Sequence, residues 1–293
     1  MNAIETTKLT KYYGKARGVL DVNLAVDEGE CFGFIGPNGA GKSTTIRALL
    51  GLIRPTSGQA KVLGIDIRNE RTKVLSQVGY LPSESAFYPG MKVKDILKLS
   101  ADLRKKDCAD ETNRLCQRLQ LDQNRKADQL SFGNRKKVSI VCALLHNPRL
   151  LILDEPTSGL DPLMQREFFT IIKERNQAGA TVFLSSHILS EIQQNCARAA
   201  VIREGRLIAC DRVETLAQTQ TKRISLRGNI SLNGLPGIRN LTETDDSWHF
   251  LYDGEMKRLL QTLAAGNVTD LSVTEPDLEE IFFHYYENGG EEK

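Results

Sequence analysis

The 293-residue sequence predicts an α/β fold with a parallel sheet at its core. Three observations carry that expectation. Short apolar runs of strand type recur, helical patterns lie between them, and a glycine-rich turn follows directly on the first run.

The first run, Glu30–Ile35, reads as a buried strand because it is short and apolar and ends at a glycine-rich turn. After the turn, Thr44–Leu50 has the pattern of a helix, with Gly51 and Pro55 as stop signals. Leu150–Leu153 and Thr181–Leu184 are further strands, separated by the helical pattern Gln165–Arg175. From about Ser83 to Gln129 the chain is charged and weakly apolar, which predicts a mostly helical insertion. Beyond Ala217 the pattern changes: strands over Lys222–Leu226 and Ser247–Tyr252, a helix over Glu255–Ala264, a strand over Val268–Val273 and a final helix from Asp277 to Tyr286. Turn signals such as Asn233-Gly234 and Asp253-Gly254 punctuate it, so a small α+β appendage is expected, with Asn288–Lys293 frayed.

Hydrophobic content of 40% and charged content of 26% suit a chain able to bury a core. With 39 basic against 37 acidic residues the net charge is only +2, which argues against bulk electrostatic binding to nucleic acid or an anionic membrane. The six cysteines are scattered without a C-x-x-C pair, as expected of free thiols in a reducing compartment. No basic segment followed by an apolar run opens the chain, and no stretch approaches the ~20 apolar residues needed to span a bilayer. A soluble protein is therefore expected.

The turn after the first strand is Gly36-Pro37-Asn38-Gly39-Ala40-Gly41-Lys42-Ser43, a G-x-x-x-x-G-K-[ST] phosphate loop. Its glycines let backbone N–H groups turn inward, Lys42 reaches the β- and γ-phosphates of ATP, Ser43 ligates Mg²⁺, and the helix N-terminus, which continues through Thr44, adds its positive dipole end. A second element, Leu150-Leu151-Ile152-Leu153-Asp154-Glu155, ends an apolar strand in two carboxylates whose side chains point differently. Asp154 suits the Mg²⁺ shell and Glu155 a general base acting on water; a solvated turn would give the same pair. A third, Leu130-Ser131-Phe132-Gly133-Asn134, precedes a helix buried through Val138, Val141, Cys142 and Leu145. Ser131 is a natural N-cap. Arg135, Lys136 and Lys137 stand in the first turn, where the macrodipole disfavours cations; they read as a solvated face, or as partners for an anion brought from outside.

This ordered set, with Ser158-Gly159-Leu160-Asp161 and a strand ending at His187, resembles the ATPase subunits of ABC transporters from about Thr6 to Asp211. The resemblance implies a P-loop NTPase with a parallel-sheet core, an N-terminal antiparallel β portion, a helical insertion and a small α+β C-terminal appendage. It divides the chain into an ATP-binding domain over residues 1–216, with a helical subdomain at about 83–145, and a C-terminal domain over 217–293. It further implies that Ser131 and Gly133 contact the γ-phosphate held by a second subunit, that Asp161 lies at the dimer interface, and that His187 touches the γ-phosphate. Tyr13 would stack on adenine, with Tyr12 the fallback and a core aromatic the plain alternative.

Two departures stand out. Phe132 and Asn134 replace the commoner Gly and Gln of the signature. After Val78-Gly79-Tyr80-Leu81-Pro82, where the family usually carries Gln, come Ser83 and Glu84, which puts hydrolytic coupling in question. The ending Glu275–Phe282 resembles ATPases that serve exporters of the ABC-2 type. The expected function is thus ATP hydrolysis coupled to export through a separate multi-span permease, at the cytoplasmic face of the membrane, with a second ATPase subunit as partner; Phe87 and Tyr88 would meet the permease. Two other readings stay open: a soluble ABC-type ATPase acting on ribosomes or DNA, and an ATP-binding regulator with little turnover.

Overall fold

The computed structural model describes residues 1–217, 222–230, 232, 234–244 and 247–274. The expected helix over Asp277–Tyr286 and the Glu275–Phe282 resemblance lie outside them. The chain divides into two compact units, Met1–Val213 and a remainder that begins at Glu214.

The first unit opens with two long strands, β1 (Asn2–Tyr13) and β2 (Ala16–Asp27), joined by a tight turn at Gly14. Then come β3 (Cys31–Ile35), α1 (Lys42–Leu49), β4 (Ser57–Val62), β5 (Ile65–Asp66), α2 (Arg71–Gln77) and β6 (Val78–Leu81). The insertion expected from about Ser83 to Gln129 contains α3 (Val93–Arg104), α4 (Ala109–Arg118) and a short 3₁₀ turn at Ala127–Gln129, and α5 (Phe132–Leu144) follows it. The unit closes with β7 (Leu150–Asp154), α6 (Pro162–Gln177), β8 (Thr181–Ser186), α7 (Leu189–Asn195), β9 (Arg198–Arg203), β10 (Arg206–Arg212) and the first residue of α8 (Val213–Ala217).

Two sheets result. Strands β2-β1-β4-β5 form an antiparallel sheet; β10-β9-β3-β8-β7-β6 form a sheet that is parallel throughout except at the β9–β10 edge. In β7 and β8 every residue is buried, and in β3 all but Cys31, which is why they read as unbroken apolar runs instead of alternating ones. Phe32 and Phe183 stack across β3 and β8 with ring centres 6.1 Å apart, and Phe34 meets Phe183 at 5.2 Å. Ile46, Ala48 and Leu49 of α1 join one core with Val22 and Leu24 of the antiparallel sheet and Ile152 of the parallel one. Each of the larger of these, the Ile, Leu and Val side chains, contributes roughly 1.5–3 kcal/mol through burial. The helix behind the phosphate loop is thus anchored on two sides.

The second unit is an antiparallel sheet in the order β12-β13-β11-β14, from β11 (Lys222–Asn229), β12 (Ile238–Thr244), β13 (Ser247–Tyr252) and β14 (Asn267–Thr274). Helix α9 (Met256–Ala264) completes it, with Leu259 and Leu263 packed among Ile224, Leu226, Phe250 and Tyr252. The sequence does not announce β12, because this edge strand is mostly exposed and needs no apolar face. It does not announce β6, β9 or β10 either.

Candidate active site

The backbone of the loop between β3 and α1 forms a cradle. Gly39 takes φ 78° with open space where a side chain would stand, and Gly41 takes φ 112° with Val19 Cγ1 2.8 Å from the place a Cβ would occupy. No side chain caps the N-terminus of α1, so its unpaired N–H groups are left for an anion. The loop borders a cavity of about 180 Å³. Tyr13, Pro37, Asn38, Gly39, Gly41, Lys42, Ser43, Thr44 and Glu155 all line it, as do Arg17 and Gly18, which the sequence did not single out. Gly36 and Ala40 are buried beneath it.

Lys42 is only 5% exposed. Its ammonium donates to the carbonyls of Gly36 at 2.6 Å and Pro37 at 3.2 Å, and pairs with Glu155 Oε1 at 3.2 Å. His187 Nδ1 lies 3.4 Å from Glu155 Oε2. The strand ends of β3, β7 and β8 therefore bring Lys42, Glu155 and His187 together around one carboxylate. Burial pushes the Glu155 carboxyl up, but the Lys42 charge and hydrogen bond, with His187, outweigh it and hold the group below its usual range.

Glu155 has φ 48°, left-handed backbone that costs a non-glycine residue on the order of 1 kcal/mol or more. Its N–H donates to Ser185 O at 3.1 Å. Beside it Asp154 is buried and accepts 2.7 Å from the Ser185 hydroxyl. One buried carboxylate with the Ser43 hydroxyl is a sparse oxygen set of the kind that Mg²⁺ accepts, since that ion keeps waters and substrate phosphates as its other ligands. Among the described residues no cluster of three or more His, Cys, Asp or Glu could hold a metal by itself.

Ser131, Gly133 and Asp161 do not line the cavity. Ser131 is exposed and caps α5, its hydroxyl accepting from Asn134 N at 3.3 Å. Asp161 caps α6, accepting from Leu163 N at 3.1 Å and Met164 N at 3.0 Å. The Phe132 ring lies against Gly159, where a Cβ would meet it at 2.1 Å. Tyr13 is half-exposed with Lys11 Nζ 5.3 Å from its ring centre, so it is not a core aromatic.

The basic turn of α5 corrects the sequence reading. Lys136 does not belong to a solvated face: it is 2% exposed, and its ammonium donates to the carbonyls of Pro82, Ser83 and Glu155, each at 3.0 Å. Burial pushes its pKa down to about 8, against the pull of Asp154 and Glu155. The signal was a cation in a turn where the helix dipole repels it, which needs a compensating set of acceptors. Glu191 is a second residue the sequence concealed. Its carboxylate accepts from Thr157 at 2.5 Å and Ser186 at 2.6 Å, tying the turn after β7 to the end of β8.

A family model described as ABC transporter matches residues 19–158. The bacitracin transport ATP-binding protein BcrA of Bacillus licheniformis is 42% identical over 70% of this chain and 68% of its own length. An uncharacterized ABC transporter ATP-binding protein of Synechocystis is 31% identical over 99% of this chain and 86% of its own. The linearmycin resistance ATP-binding protein LnrL of Bacillus subtilis is 30% identical over 96% and 97%. Among solved structures, an ATP-binding subunit of an ABC transporter superposes with a TM-score of 0.69 at 31% identity, covering 74% of this chain and 92% of that one. A dimeric cassette in a post-hydrolysis state bound to ADP and Pi gives 0.63 at 23% identity, over 72% of this chain and 98% of that one, a likeness of fold. The phosphate loop, the carboxylate-ended strand and these relatives agree: the chain belongs to the ABC transporter family, as an ATP-binding ATPase subunit.

Proposed function

We propose that this subunit works as half of a two-subunit clamp, a homodimer or a pair with a homologue, which closes on two ATP molecules and drives export through a separate ABC-2-type membrane permease. The observation that carries it is the convergence of Lys42 and His187 on Glu155 at the mouth of the phosphate loop.

In this reading residues 1–216 are the ATP-binding domain, with a helical subdomain at about 83–145, and 217–293 a small C-terminal domain. The loop Gly36–Ser43 and the start of α1 at Thr44 hold the phosphates, and Tyr13 covers the adenine. Ser43 and Asp154 would hold Mg²⁺, which would supply charge neutralisation for the phosphates. Lys42 leaves Glu155 for the phosphates. Glu155 then loses the neighbouring charge that keeps its carboxyl acidic, and becomes a stronger base once substrate is seated. His187 takes its place beside the terminal phosphate. The exposure of Ser131 and the absence of Ser131, Gly133 and Asp161 from the cavity support their serving the nucleotide of the second subunit. Within the described residues no helix is long and apolar enough to cross a membrane, which supports a separate permease and a peripheral place at the cytoplasmic face. The transport and resistance names of the relatives support export.

The test is steady-state phosphate release by the full chain and by Glu155→Gln. A loss of about 100-fold or more, with ATP binding retained, is expected. Equal rates mean no catalysis by this carboxylate. Co-purification with a multi-span membrane protein is expected as well; recovery on ribosomes instead sinks the transport reading.

A further inference from the structure

Glu155 must be ordered twice over, because its backbone is left-handed and its side chain is the point on which Lys42 and His187 meet. Its N–H is held by Ser185 O at 3.1 Å; its carbonyl accepts from Ser158 N at 3.4 Å and, more closely, from the Lys136 ammonium at 3.0 Å. A lysine that is 2% exposed has lost its water and must replace it. Here the replacement is three carbonyl oxygens at 3.0 Å, from Pro82, Ser83 and Glu155, one for each ammonium hydrogen. Three segments are thereby joined: the helix that begins at the Ser131 cap, the stretch after β6, and the general base of the proposed function. Ser139, one turn further along α5, adds a 2.5 Å hydrogen bond to Ser85, so the stretch 82–85 is fastened to α5 at two points. All three hydrogen-bond partners of the ammonium are backbone carbonyls, so its direct contacts organise backbone, while Asp154 and Glu155 act on its charge through space.

We propose that Lys136 is a positioning residue for hydrolysis: its ammonium fixes the Glu155 peptide to the Pro82–Ser83 backbone and so aims the Glu155 carboxylate. The inference rests on Glu155 acting as base. Lys136 does not itself line the cavity and meets it only through the Glu155 backbone, so its removal affects turnover and spares binding.

The experiment uses the full chain, with ATP turnover measured against ATP concentration and affinity measured by direct ATP binding. Lys136→Met keeps the apolar stem as far as Cε and removes every donor. It is expected to lower kcat about tenfold or more, with KM and Kd within about threefold of wild type. Lys136→Gln keeps two N–H donors for three carbonyls. Its kcat is expected to lie between the two, at least threefold above Met. A Met variant within twofold of wild type overturns the proposal. So does a fall in affinity that matches the fall in kcat, or a Gln variant no better than Met, since either is the mark of a merely structural role. Should the Met chain not fold in a thermal scan, Gln decides alone: kcat lowered at least threefold at unchanged KM supports the proposal, and wild-type kcat overturns it. A wild type no faster than Glu155→Gln removes the premise instead, a distinct outcome.

Discussion

Charge placement in the interior of this subunit is set residue by residue, and pH reads it out. Lys42 and His187 keep the Glu155 carboxyl below its usual range against burial, so it is ionised throughout the neutral region. His146 is the opposite case. It is 2% exposed, and burial, with Arg104 close by, pushes its pKa down to about 3. The unfolded chain takes up a proton near pH 6.5 that the folded chain refuses until about pH 3, so stability is full above pH 6.5 and declines as pH falls below it. Between pH 7.5 and 5.5 the expected loss from this group is roughly 1 kcal/mol. His146→Leu should flatten that decline. Thermal unfolding of both chains at the two pH values measures it, and equal slopes would remove His146 as the cause.

At the level of the elements, the same residues that serve a second subunit in the proposed clamp also finish their own helices. Asp161 is the clearest instance, because its carboxylate accepts from two N–H groups in the first turn of α6. Asp161→Ala is expected to cost about 1 kcal/mol in stability, and Asp161→Ser to recover most of it. Hydrolysis separates the two roles. If the cap is all that matters, Ser restores activity along with stability; if Asp161 also meets the other subunit, Ser folds well and still hydrolyses slowly. Unfolding curves set beside ATPase rates distinguish these outcomes, and the proposed interface role requires the second.

For the whole molecule, the cavity is lined without Ser131 and Gly133, and the proposed function completes it with those residues of a second chain. Sedimentation of Glu155→Gln with ATP and Mg²⁺ should give a species of twice the mass, which dissociates when ATP is withdrawn. A variant lacking Lys42 as well should remain monomeric at the same concentrations. A purely monomeric chain under saturating ATP, with no homologue present, points to a heterologous pair.

The phosphate loop, the two carboxylates at the end of β7 and the parallel core were legible in the sequence alone. Gly39 and Gly41 announce a backbone that bulkier residues resist, and strands buried on both faces must be continuously apolar, so local chemistry fixes both features. The C-terminal sheet was legible in part, through β11, β13 and β14, but not in its exposed edge strand β12. Tertiary structure alone decided the rest. Lys136 looks like a surface cation until Pro82, Ser83 and Glu155, 54, 53 and 19 residues away, deliver their carbonyls to it. Glu191 looks like a helix-surface acid until Thr157 and Ser186 close on it. The physical reason is the same for both. A polar side chain is as readily solvated as it is caged, and only the packing of distant segments determines which of the two it becomes.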